Sequence, residues 1–148
     1  MPFATPKIEK TPWHLWLIGF LGLIWSAMGA MDYVLTQMRQ EDYMSAFNAE
    51  QIAFFYGFPK WVVASWAVAV WGGVIGSILL LLRKPLAVGF YLVSLLAILV
   101  TTYHNYFLDK GMEIMGDPMI MGFNALIVLV AFTLFAYARN MQKRGYLY

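Results

Sequence analysis

The sequence predicts an all-α membrane protein of four transmembrane helices, with both termini on one side and a short interfacial helix in the first outer loop. Three observations carry that expectation. The chain of 148 residues is 61% apolar and only 12% charged; four apolar runs are long enough to span a bilayer; and the basic residues gather in the connections on one side. Soluble domains hold roughly 45–50% apolar and 25% charged residues, and a chain this short has too little interior to bury the excess. The bilayer has to serve as solvent for much of it. The absence of Cys excludes disulfides, thiolate metal sites and a Cys nucleophile, and the net charge of +2 excludes a polybasic nucleic-acid binder.

The runs are Trp13–Leu35, Trp61–Leu82, Leu86–Leu108 and Met119–Ala138, each near the ~20 residues that a ~30 Å hydrocarbon core requires. Only helices satisfy their own backbone there, so each run reads as a helix, and residues 1–148 form a single transmembrane domain. The first run has a rival reading as a secretory signal peptide, with Lys7 and Lys10 before it and Ala27–Ala30 as small residues. Its apolar stretch is too long for that, which makes it a retained span. Seven of the ten basic residues (Lys7, Lys10, Arg83, Lys84, Arg139, Lys143 and Arg144) fall on the side of the termini. The other side holds Arg39, Lys60 and Lys110 with seven of the eight acids. The positive-inside rule then places both termini in the cytoplasm.

The connections carry local signals. Pro85 suits the first turn of span three, and Asp117-Pro118 is an acidic cap followed by Pro at the start of span four. Within the first outer loop, Asn48-Ala-Glu-Gln51 has the form of a capping box. It precedes Phe54, Phe55, Tyr56 and Phe58, a segment too short to span and too apolar to float, and is read as a helix lying in the outer interface.

Small residues recur at a spacing of four. Span one carries Gly22, Ser26 and Ala30; span two carries Ser65, Ala69, Gly73 and Ser77, with Gly72 and Gly76 alongside. Such ridges let helix backbones approach closely in a membrane. They pack spans one and two within the monomer, or leave part of the broad span-two face spare for a second protein.

Few side chains carry chemistry. His14 and His104 lie a membrane thickness apart, so one haem cannot take both. His104 alone remains a weak candidate ligand for haem or chlorin, against a hydrogen-bonded interfacial role. Asp32, His104, Asn105 and Asn124 fall at similar depth in the outer half. An intramembrane acid is costly and asks for a partner, here His104 or Asn105, in a structural pair or a proton-carrying one. Asp109, Glu113 and Asp117 recur every four residues without the alternating ligands of a calcium loop. Trp25 and Trp71 near mid-membrane pack on each other or on a neighbouring helix, or form a quinone or pigment surface.

Pro12-Trp13-His14-Leu15-Trp16, Phe54-Phe55-Tyr56-Gly57-Phe58-Pro59, Trp71-Gly72-Gly73 and His104-Asn105 together resemble small four-span proteins of proteobacterial inner membranes, sometimes labelled sugar transporters. The resemblance implies a bacterial inner-membrane location and carries over no functional residue. No phosphate loop, HExxH or nucleophile–base arrangement appears, and the span interiors hold no midplane charge and no Pro. The expectation is a non-enzymatic accessory or assembly subunit of a larger membrane complex, respiratory or photosynthetic, without a cofactor of its own. The alternative is a small oligomeric permease. Partners are lipids and other membrane subunits or a second copy, and no nucleic acid.

Overall fold

A computed structural model describes residues 10–107, 113–114 and 116–148. Its helices are α1 (Trp13–Gln37), α2 (Glu41–Met44), α3 (Ala49–Tyr56), α4 (Lys60–Leu81), α5 (Leu86–Phe107) and α6 (Pro118–Lys143). No strand occurs among the described residues. The four helices α1, α4, α5 and α6 are long and apolar enough to cross a membrane, which makes this a multi-pass membrane protein.

The helix ends follow from local chemistry. Asp117 accepts the Met119 N–H at 2.8 Å with Pro118 opening α6. Asn48 accepts the Gln51 N–H at 2.8 Å while Gln51 accepts the Asn48 N–H at 3.1 Å, a complete capping box for α3. Three helices, α1, α4 and α6, end in the same motif, in which a residue at positive φ lets two successive N–H groups reach back to carbonyls of the last turn. In α6 that residue is Gly145, but in α1 and α4 it is Arg39 (φ 55°) and Arg83 (φ 57°). A left-handed conformation costs a side-chain-bearing residue roughly 1–2 kcal/mol, and contacts of the Arg83 side chain offset it. The guanidinium donates to Thr11 Oγ1 at 2.7 Å and lies over the Tyr148 ring, while the Arg83 carbonyl accepts the Tyr148 N–H at 2.9 Å. One residue thereby ties the start of the described chain and its last residue to the α4–α5 turn.

Helix α4 is the spine. One side takes α1 and the other takes α5, and α6 packs mainly on α5. The small residues make this two-sided approach possible. A Cβ built on Gly73 would sit 2.8 Å from Ser26 Oγ of α1; one on Gly72 would meet Ser94 of α5 at 3.3 Å; one on Gly76 would meet the Tyr91 ring at 3.0 Å. Ser77 and Tyr91 share a hydrogen bond of 2.7 Å, and Ser94 Oγ donates to the Ala69 carbonyl at 2.6 Å, so the seam is polar-locked as well as close. Gly22 and Ala30 continue the ridge on α1, both buried, while Ser65 is half-buried near the start of α4. The broad small face is therefore used from both sides inside the monomer. The idea of a spare stripe is overturned, because the second partner helix is α5.

The bundle is closed at the end carrying the termini. Leu15, Leu80, Ala87, Tyr91, Leu134, Ala138, Met141 and Leu147 form one buried cluster there, and His14 Nδ1 pairs with the Tyr137 hydroxyl to join α1 to α6. Beyond Gly22 and Leu134 the α1–α6 seam is no longer continuous.

The packing of Gly76 gives a direct test. Tyr91 is fully buried and hydrogen-bonded, so it cannot yield to an added methyl. Gly76→Ala should lower stability by about 1–3 kcal/mol. Gly122→Ala, where an added Cβ meets nothing within 4 Å, should leave stability unchanged or slightly raised. Helicity during SDS titration in mild detergent measures both.

Candidate functional site

The half of the bundle remote from the termini opens into a cleft of about 710 Å³ among α1, α4, α5 and α6. Its floor is apolar, formed by Ile127, Val130, Ala131 and Leu134 of α6 near the closed end. Its roof mixes aromatic rings with the polar side chains of the cleft: Asp32 and Thr36 of α1, Tyr43 of α2, Gln51 of α3, Asn105 of α5 and Asn124 of α6 all line it. Trp25 and Phe123 meet across the α1–α6 seam with ring centroids 6.2 Å apart.

Asp32 is half-buried and accepts a hydrogen bond from the Tyr43 hydroxyl. Burial first, and then the bond to Asp32 and its charge, hold the Tyr43 hydroxyl above its ordinary range, which keeps it a donor. The expected partner of Asp32 was His104 or Asn105; the structure corrects this to Tyr43. Asn105 and Asn124 share the cleft with Asp32, and Asn124 donates to the Tyr106 hydroxyl at 2.8 Å. His104 is placed elsewhere. It is 4% exposed, pairs with the Asn105 side chain at 3.3 Å and is enclosed by Phe54, Phe58 and Trp61 at centroid distances of 5.2–6.0 Å. That ring cluster docks the end of α3 onto α4 and α5.

The aromatic residues of the first loop are correspondingly turned inward. Phe54 is buried, Phe55 and Phe58 line the cleft, and Tyr56 lies beneath the Arg39 guanidinium at 4.3 Å. The helix expected in the first outer loop is α3, and it folds over the bundle as a lid. Sequence reasoning missed Tyr43, Phe47 and Gln51 as site residues. Tyr43 of α2, Phe47 of the connection and Gln51 and Phe55 of α3 all line the cleft, brought together by the turn between the two short helices. Trp71 points outward and does not meet Trp25. Of the acidic series, Asp117 caps α6 and Asp109 lies outside the described residues.

A one-ended polar cleft with hydrocarbon walls suits an amphipathic molecule, tail toward the floor and head beneath the lid. Its volume falls within the roughly 300–1,000 Å³ of small-molecule sites. Comparison with protein-family models, curated proteins and solved structures finds no match.

The Asp32–Tyr43 bond predicts a coupled pair. Asp32→Leu leaves the Tyr43 hydroxyl without its acceptor and should cost about 1–3 kcal/mol. Adding Tyr43→Phe to that variant should cost less than the sum of the two single changes. Asp32→Asn retains an acceptor and should be the mildest. Thermal unfolding in mild detergent reads the cycle, and strict additivity would contradict the pair.

Proposed function

We propose that this chain is a non-enzymatic bacterial inner-membrane protein that holds an amphipathic small molecule between α1 and α6. The observation that carries this is the polarity gradient of the cleft, from Leu134 and Ala131 at the floor to Asp32, Tyr43, Asn105 and Asn124 at the roof. A sugar fits that wall poorly, because each hydroxyl buried without a partner is costly. The inner-membrane location draws on the resemblance to four-span proteobacterial proteins. A cytoplasmic position for both termini is supported by the seven basic residues on that side, and the cleft then opens in the outer leaflet. Reporters fused after Tyr148 and near Ala46 should fall on opposite sides, with Tyr148 cytoplasmic.

A second role, as accessory subunit of a larger complex, is supported by α6. Its most apolar stretch is almost wholly unburied, with Leu126, Leu129 and Phe132 facing outward. A subunit that presents a bound amphiphile to a neighbour unites the two roles.

Gentle extraction and mass spectrometry of bound organic molecules test the proposal. Wild type should retain an amphiphile enriched over the bulk lipid, close to one per chain. Ile127→Trp, which fills the cleft from α6, should fold normally and lose it. Bulk lipid composition in both proteins would refute the proposal.

A further inference from the structure

We propose that the cleft selects an amphiphile with an ammonium head, recognised by Asp32 and the aromatic side chains beneath the lid; this rests on the amphiphile-holding function above. Among the described residues, Asp32 is the one formally charged side chain lining the cleft, and no Lys, Arg or His lines it. The base nearest to it in sequence, Arg39, is engaged on the Tyr56 ring at 4.3 Å. An intramembrane carboxylate with no basic side chain lining its cleft is suited to receive a cation. The rings lining the same cleft match that preference. Phe47 lies 6.0 Å from the ring of Tyr43, the residue bonded to Asp32, and continues through Phe55 at 5.3 Å, while Phe58 and Trp66 meet at 6.1 Å. Aromatic faces with one carboxylate are the chemistry that holds alkylated ammonium groups.

The same arrangement discriminates among heads. A phosphate or fatty-acid head brings a second negative charge beside Asp32 and finds no cation to receive it. An alcohol or quinone head finds hydrogen-bond partners in Asn105, Asn124 and Tyr43 but leaves the carboxylate without a counter-charge. Phosphatidylethanolamine carries the ammonium but also the phosphate, so a free lipophilic amine or quaternary ammonium is the better fit.

The test uses the full chain in an uncharged maltoside detergent, with a neutral fluorescent alkyl probe in the cleft. Dodecyltrimethylammonium, dodecanol, dodecanoate and lysophosphatidylethanolamine then compete for it. The ammonium should displace the probe at about tenfold lower concentration than dodecanol, the advantage expected of a desolvated cation–aromatic contact. Dodecanoate and lysophosphatidylethanolamine should be weaker than the ammonium. In Asp32→Asn, which keeps an acceptor for Tyr43, the ammonium should lose its advantage over dodecanol. Phe55→Leu should reduce the advantage of the ammonium over dodecanol. Equal competition by ammonium and alcohol in wild type, or an advantage that survives Asp32→Asn, overturns the selectivity and leaves the amphiphile-holding function standing. Lysophosphatidylethanolamine equal to the ammonium overturns exclusion of the phosphate. Failure of the probe and every competitor to bind overturns both proposals.

Discussion

The structure depends on how closely α1 and α5 approach the backbone of α4. In lipid there is no hydrophobic gain from bringing two apolar helices together, so association relies on dispersion and interhelical hydrogen bonds that need short distances. Gly73 against Ser26, Gly72 against Ser94 and Gly76 against Tyr91 supply those distances on two sides of one helix. The Ser77–Tyr91 and Ser94–Ala69 bonds hold them. With both sides of α4 occupied, α6 is left to pack on α5 and to reach α1 only toward the closed end. The cleft is the geometric remainder of that arrangement. Its walls are mostly apolar and it opens at the surface of the bundle, so lipid chains or the tail of a bound molecule can fill it.

The two ends of the bundle are built for different tasks. At the end of the termini, Arg83 accepts a left-handed backbone and in return gathers Thr11 and Tyr148, while His14 and Tyr137 close α1 onto α6. At the other end, the only direct α1–α6 ring contact among the described residues is Trp25 with Phe123, and α2 and α3 cover what the helices leave open. The lid is fastened by Tyr43 to Asp32, by Tyr56 to Arg39 just past the end of α1, and by the Phe54–Phe58 segment to His104 and Trp66. Under the proposed function, an amphiphile would reach such a site from the bilayer without crossing the clasped end, which agrees with holding or presenting a molecule rather than moving it across the membrane.

Much of this was legible in the sequence. Hydropathy located all four spans to within a few residues at most ends, since spanning length is set by bilayer thickness. The exception is the far end of α6, which runs on to Lys143 through charged residues that hydropathy assigned to the tail. Capping residues marked the starts of α3 and α6 because their side chains act within their own turn. What hydropathy does not encode is rotation about each helix axis. Asp32, His104, Asn105 and Asn124 were recognised as lying at one depth, yet His104 turns out of the cleft that the other three share. Gly72 and Gly76 stand one residue from Gly73 and Ser77, about 100° around the helix. That offset was the clue that two helices, not one, pack on α4. The inward turn of the lid was hidden because an aromatic segment at a membrane surface satisfies either lipid or protein.

The absence of Cys in this chain permits a direct measurement of the clasped-and-open geometry. Paired cysteines at Gly22 and Leu134, in contact near the closed end, should form a disulfide rapidly under mild oxidation in native membranes. Paired cysteines at Gly29 and Ile127, on the α1 and α6 walls of the cleft, should remain reduced under the same conditions. Equal and rapid cross-linking of both pairs would mean that α1 and α6 pack along their whole length, and would contradict the cleft on which this account of the protein rests.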